Sequence, residues 1–176
     1  KDLVIYHDNC WDGFCAAWLF HYWLPYATYI PANYGDSPPD LTSALRVYVL
    51  DFSYSREVLK MMAESVGHYV IVLDHHKTAQ EALDGLDNYD GKGKLSVEFD
   101  MEKSGGRMAW DFLCSRGVLP VHLQKRVEND PNWLVRYTED RDLWKWELPN
   151  SKSINSALRS YPLDFGLWDN LSRRDP

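Results

Sequence analysis

Three short apolar runs, at residues 3–6, 47–50 and 69–73, constrain this chain most. Each is rich in Val, Ile, Leu and Tyr, and none shows the apolar and polar alternation of a half-exposed strand. Such runs are predicted to be parallel strands buried on both faces. Helix-like segments at 14–24 and 55–66 separate them, the second carrying Val58, Leu59, Met62 and Val66 at helical spacing. Strand, helix, strand, helix in that order predicts an α/β fold: a mainly parallel sheet flanked by helices, with right-handed crossovers. A weaker strand is expected at 27–30, before the Pro- and Gly-containing loop 31–39. Residues 84–94 read as a surface loop ahead of a strand at 95–99. Beyond it the pattern turns helical, at 104–116, 121–128 and 133–137.

One domain over residues 1–176 is the expectation for a chain of this length with 45% hydrophobic residues. Lys1 rather than Met opens it, two residues before an apolar run, so the reading places it inside a longer gene product with room for a further C-terminal domain. Nineteen Lys and Arg against 26 Asp and Glu leave a net charge of −7. That balance supplies no broad positive field for long duplex nucleic acid, and small or short phosphorylated substrates fit it better, a small nucleotide or a short single-stranded oligonucleotide among them. Cys10, Cys15 and Cys114 are odd in number and lack C-x-x-C spacing, which argues against a disulfide framework or a structural zinc knot and for a reducing cytoplasm. No apolar stretch reaches the roughly 18 residues of a membrane span. A membrane partner is therefore not expected, and a homo-oligomer is left open.

The acids and histidines fall where those strands end. The first run is followed by His7-Asp8-Asn9-Cys10-Trp11-Asp12-Gly13, the second by Asp51, and the third by Asp74-His75-His76. Ligands of open α/β sheets bind outside the carboxyl ends of the strands, so three strands deliver carboxylate or imidazole to one rim. One Asp after a strand is ordinarily a turn residue or a helix cap. Several crowded together repel one another unless a cation lies between them, which points to a divalent metal. A mixed imidazole and carboxylate set suits Mn, Zn, Fe or Co more than Ca.

The tripeptide Asp74-His75-His76, closing an apolar strand after two others that end in aspartate, resembles the DHH phosphoesterases. Two further segments are similar to that family's later motifs: Glu102-Lys103-Ser104-Gly105-Gly106-Arg107, at a helix start, and Glu139-Asp140-Arg141-Asp142. The resemblance implies two metal sites, expected to hold Mn2+ with Mg2+, Co2+ or Zn2+ as substitutes. His7 would bind the first metal and Asp51 would bridge the two. Asp12, His75 and Asp140 would join Asp51 in binding the second metal, with Asp142 the rival of Asp140. Asp74 would fix an imidazole tautomer, and His76 would face the scissile phosphate. Ser104, Gly105 and Gly106 offer helix N-terminal N–H groups to an anion, with Arg107 on a phosphate oxygen; ordinary capping by Ser104 is the plainer reading.

The chain leaves the family's common pattern at Cys10, where many members carry Asp, and it resembles a subgroup with His-x-Asn-Cys-x-Asp-Gly in this loop. Cys10 is either a thiolate ligand or a packed cysteine, and Asp8 and Asn9 stay candidates beside it. Among the eight Trp, Trp11, Trp144 and Trp146 are placed to stack a base or to pack, whereas Trp18, Trp23, Trp110 and Trp133 are expected in the core. The function implied is metal-dependent hydrolysis of phosphodiester or phosphomonoester bonds in small nucleotides, short oligonucleotides or cyclic dinucleotides. The alternatives are a nucleotide-binding regulatory module without turnover and a phosphoanhydride hydrolase.

Overall fold

A computed structural model of the chain describes residues 1–86, 89–90, 94–123 and 130–176. Six strands form one sheet: β1 (Asp2–His7), β2 (Thr28–Ala32), β3 (Arg46–Leu50), β4 (Tyr69–Asp74), β5 (Tyr89–Asp90) and β6 (Lys94–Phe99), in the order β2-β1-β3-β4-β6-β5. Every pairing is parallel except that of the two-residue β5 with β6. The strand order reverses between β1 and β3, so the topological switch point lies between the strands that lead into the His7 loop and into Asp51.

Burial on both faces accounts for the unbroken apolar runs. Leu3, Ile5, Val47, Val49, Val70 and Val72 pack with Leu59, Met62 and Ala63 of α2 (Arg56–Ser65) on one side. Val4, Tyr48, Leu50 and Leu73 face the other side. There α1 (Trp11–Trp23) buries nine consecutive residues, Asp12 to Phe20, because it lies between the sheet and further helices. Phe20 stacks on Phe112 of α4 (Gly105–Ser115) at 5.6 Å, and Trp18 meets Trp168 of α7 (Phe165–Ser172) at 5.7 Å. Fully burying one such large apolar side chain contributes roughly 1.5–3 kcal/mol.

Several element bounds differ from the expectation. Helix α1 starts at Trp11, not 14, which puts Asp12 and Gly13 in its first turn; its N-cap, Cys10, makes no capping hydrogen bond, so the usual signature is missing. Strand β2 is shifted to Thr28–Ala32. Helix α5 (Trp133–Asp142) runs on through the charged tetrad 139–142, which carries no apolar period. Helices α3 (Lys77–Ala82) and α6 (Ser151–Leu158), together with α7, were not foreseen, and β5 pairs within the expected loop 84–94. A 3-10 turn occupies Val121–Leu123; residues 124–128 of the expected helix, and 87–88 and 91–93 of the expected loop, lie outside the described residues.

Candidate metal centre

Five segments converge at the carboxyl edge of the sheet: the end of β1, the first turn of α1, Asp51 after β3, the tripeptide at the end of β4 and the last turn of α5. The backbone of Asp51 is left-handed, with φ of 65°, and its N–H donates to Leu73 O at 2.9 Å. Left-handed backbone at a non-Gly residue costs energy and clusters at functional sites.

His75 is the hub. Its Nε2 lies 3.0 Å from Asp51 Oδ1, 3.4 Å from Asp142 Oδ2 and 3.6 Å from Asp12 Oδ2. On the other side of Asp51, Cys10 Sγ donates to Oδ2 at 3.1 Å and His7 Nδ1 lies 3.5 Å from the same oxygen. That His7 nitrogen is buried and, at this distance, makes no hydrogen bond among the described residues. Three donor groups result, each with its ligand atoms within 4.8 Å of one another: His7, Cys10 and Asp51; Asp51, His75 and His76; and Asp12, His75 and Asp142. They share Asp51 and His75, so they form a continuous chain with Asp51 between His7 and His75.

The electrostatics match a cation site. Burial, and then the charges of Asp51 and Asp142, push the Asp12 carboxyl far above the usual carboxylate range. Asp142 is raised by burial and by Asp51. Burial opposes ionisation of Asp51, but His7, His75 and the Cys10 thiol outweigh it and hold the group below its ordinary range. Burial likewise disfavours a charged His75, yet the Asp51 hydrogen bond and the nearby carboxylates lift its pKa to about 9. The imidazolium proton thus stands where the ligands would meet a metal ion, and an orphaned His7 nitrogen beside the Asp51 carboxylate fits a divalent cation.

Glycines let these groups approach. A Cβ on Gly13 would sit 2.7 Å from His7 O; on Gly105, 2.7 Å from Asp51 Cβ; on Gly106, 2.9 Å from Cys15 Sγ and 3.0 Å from Asp12 Oδ1. The N–H groups of Gly105 and Gly106 donate to the two oxygens of Asp12, fastening the start of α4 to the first turn of α1.

Asp74 is fully buried and accepts from Ser53 Oγ at 2.8 Å, from the His75 N–H at 2.8 Å and from His76 Nδ1 at 2.7 Å. It therefore holds the proton of His76 on Nδ1, and its hydrogen bond raises the His76 pKa.

The geometry brings together His7, Cys10, Asp12, Asp51, His75, His76 and Asp142. It corrects other expectations. Asp140 is buried and turned away, accepting from the N–H groups of Glu147 at 2.9 Å and Leu148 at 3.5 Å, so Asp142 takes the place expected of Asp140. Ser104 caps α4 through the Arg107 N–H at 3.2 Å, and the Gly105 and Gly106 N–H groups are already occupied by Asp12, which leaves no open phosphate cradle. Arg107 is held by Asp111 at 3.2 Å and Glu139 at 3.7 Å instead of reaching the cluster. Asp8 accepts from the N–H and side chain of Asn9, and neither joins the donor groups. Sequence reading missed Tyr34, whose ring meets His7 at 5.6 Å and His76 at 5.7 Å edge-on; an aromatic in a Pro- and Gly-containing loop after an edge strand was its only signal.

No family model matches the chain. An uncharacterized protein of Acanthamoeba polyphaga mimivirus is 29% identical over 184 residues, which cover 96% of this chain and 39% of that protein. A crystal structure of an uncharacterized protein from Helicobacter pylori G27 is similar in fold, with a TM-score of 0.62 at 14% identity, over 84% of this chain and 45% of that one. The chain thus spans less than half the length of either relative. Among the described residues no helix is long and apolar enough to cross a membrane.

Proposed function

We propose that this chain is a metal-dependent phosphoesterase of the DHH type, acting on small nucleotides, short oligonucleotides or cyclic dinucleotides. The observation that carries the reading is the buried His7 Nδ1 without a hydrogen-bond partner, 3.5 Å from Asp51, in a continuous series of imidazole and carboxylate donors at the sheet's switch point. His7 and Asp51 would hold one ion, beside the Cys10 thiol; Asp12, Asp51, His75 and Asp142 would hold a second. Bound manganese, or a similar divalent ion, supplies positive charge against the phosphate and acidifies water at neutral pH.

The chain's own groups then divide the remaining work. Asp74 occupies His76 Nδ1, so the ring's Nε2 is the nitrogen left for substrate. Asp74 raises the His76 pKa and so favours the protonated ring, which donates to a phosphate oxygen or to the leaving group. Tyr34, in edge contact with His7 and His76, walls the approach and limits water around the reacting phosphate.

The test is hydrolysis of bis(p-nitrophenyl) phosphate by protein stripped of metal, before and after manganese is added. Stimulation by manganese, with metal content verified by elemental analysis, supports the reading. Nucleotide binding with no turnover under any divalent ion would replace it with a regulatory module of the same fold.

A further inference from the structure

Beside the cluster, on the side of α5 and α6, lies a cleft of about 430 Å³ whose lining includes Trp11, Arg141, Trp146, Lys152, Asn155 and Arg159. Its volume falls in the range of small-ligand sites. Among the described residues no carboxylate lines it, although the chain carries 26 Asp and Glu against 19 Lys and Arg. The cations lie over the indoles: the Arg159 guanidinium is 5.1 Å from the Trp11 ring, and Lys152 Nζ is 5.8 Å from the Trp146 ring. The loop bearing Trp146 is built under strain. Trp144 and Trp146 both have left-handed backbone, with φ of 57° and 54°, and Asp140 fixes the loop by accepting the N–H groups of Lys145 and Trp146 at its carbonyl and those of Glu147 and Leu148 at its carboxylate. Large side chains tolerate such backbone only where the surroundings impose it. Trp144, 74% exposed, meets Trp146 edge-on at 5.2 Å.

Two covalent neighbours tie the cleft to the cluster. Trp11 precedes Asp12 and Arg141 precedes Asp142, and adjacent Cα atoms are about 3.8 Å apart. A strand whose scissile phosphate lies at the cluster would therefore bring its next nucleotide to the cleft.

We infer that this cleft seats the nucleotide flanking the scissile phosphate, so that the substrate is a single-stranded oligonucleotide and not a free mononucleotide. Its base packs against Trp11 and Trp146, and its phosphate meets Arg141, Lys152 and Arg159. Stacking on aromatic faces together with cationic contact to phosphate is how single strands are bound without reading their sequence. The inference rests on the phosphoesterase reading for the position of the scissile phosphate, but its test requires no turnover.

Binding of fluorescein-labelled (dT)4 to the metal-stripped full chain is followed by anisotropy across a salt series, with unlabelled dTMP as competitor. Wild type should bind (dT)4 at least about tenfold more tightly than dTMP, since a strand gains contacts that a mononucleotide lacks. The double variant Lys152→Gln with Arg159→Gln, both exposed positions, should weaken (dT)4 by about tenfold and reduce the logarithmic salt slope by about 1.4, for two single-strand phosphate contacts. Trp146→Ala should weaken (dT)4 by roughly fivefold or more with little change in salt slope. Arg173→Gln with Arg174→Gln, the same charge change elsewhere, should move it by less than about twofold. Equal losses in both double variants would reduce the effect to net charge and overturn the inference, as would dTMP binding as tightly as (dT)4. Absence of manganese-dependent hydrolysis alongside the expected binding pattern would sink the phosphoesterase reading while supporting the cleft.

Discussion

The Asp74 carboxylate, fully buried, lies 2.7 Å from His76 Nδ1 and so decides which imidazole nitrogen faces outward. Asp74→Asn would keep the shape and lose the negative charge. Turnover should fall by about 10- to 100-fold, the usual cost of removing such a support. Asp74 raises the His76 pKa, and activity that needs the protonated ring is present below that pKa and lost as pH rises through it. The alkaline limb of the rate profile should therefore move to lower pH in Asp74→Asn, whereas His76→Ala should lose turnover and keep its metal. A profile that does not move would remove the donor role from His76.

Metal binding should compete with a proton on His75. In the metal-free fold its pKa is raised from 6.5 to about 9, so the stability this proton contributes is complete below about 6.5 and is lost as pH rises through about 9. Manganese needs the neutral ring, and its apparent affinity should rise by up to about tenfold per pH unit between 6.5 and 9. Melting curves at several pH values, with and without manganese, should show metal-free stability falling and the metal-induced shift growing. A shift independent of pH would take His75 out of the ligand set.

Asp140 and Asp142 should separate cleanly. Asp142→Asn should weaken the tighter of two metal-binding steps and leave the melting temperature of stripped protein almost unchanged. Asp140→Asn should leave stoichiometry intact but destabilise by about 1–3 kcal/mol, because backbone N–H groups of the 147–148 turn lose their charged acceptor. The reverse outcome in metal titrations would return Asp140 to the cluster.

Gly105→Ala places a Cβ 2.7 Å from atoms of Asp51, a residue held at 1% exposure with no room to yield. We expect a loss of about 1–3 kcal/mol from overpacking, together with weaker manganese binding, since Asp51 must move. Thermal unfolding paired with metal titration checks this. Destabilisation with unaltered metal affinity would show that α4 gives way and Asp51 does not.

Cys10 faces Asp51 and does not pack into the core, which makes Cys10→Asp informative. A second carboxylate beside Asp51 should destabilise the stripped protein and strengthen the weaker manganese step, since it adds a hard oxygen donor. Cys10→Ser should leave the tighter step as it is. A destabilised Cys10→Asp protein that binds manganese no better would end any metal role for this position.

Much of this arrangement is legible in the sequence because parallel strands buried on both faces must read as unbroken apolar runs, and whatever follows them emerges at one edge. His7, Asp51 and the 74–76 tripeptide are placed at a shared rim by that rule alone, and the α/β fold follows from the helices between the strands. Other features depend on how helices pack. Asp140 and Asp142 stand two residues apart on α5, about 200° around its axis, so only the seating of α5 decides which one meets His75. Arg107 and the 105–106 N–H groups look like a phosphate cradle in the chain order, but α4 lies close enough to α1 for Asp12 to occupy those groups, and Asp111 and Glu139 hold the arginine. The cleft between Trp11, Trp146 and Arg159 joins segments roughly 135 and 150 residues apart through α6, whose buried face of Ser151, Asn155 and Leu158 does not say which distant element it meets. Periodicity reports how one element meets the core; contact between side chains of distant elements depends on packing that no local pattern encodes.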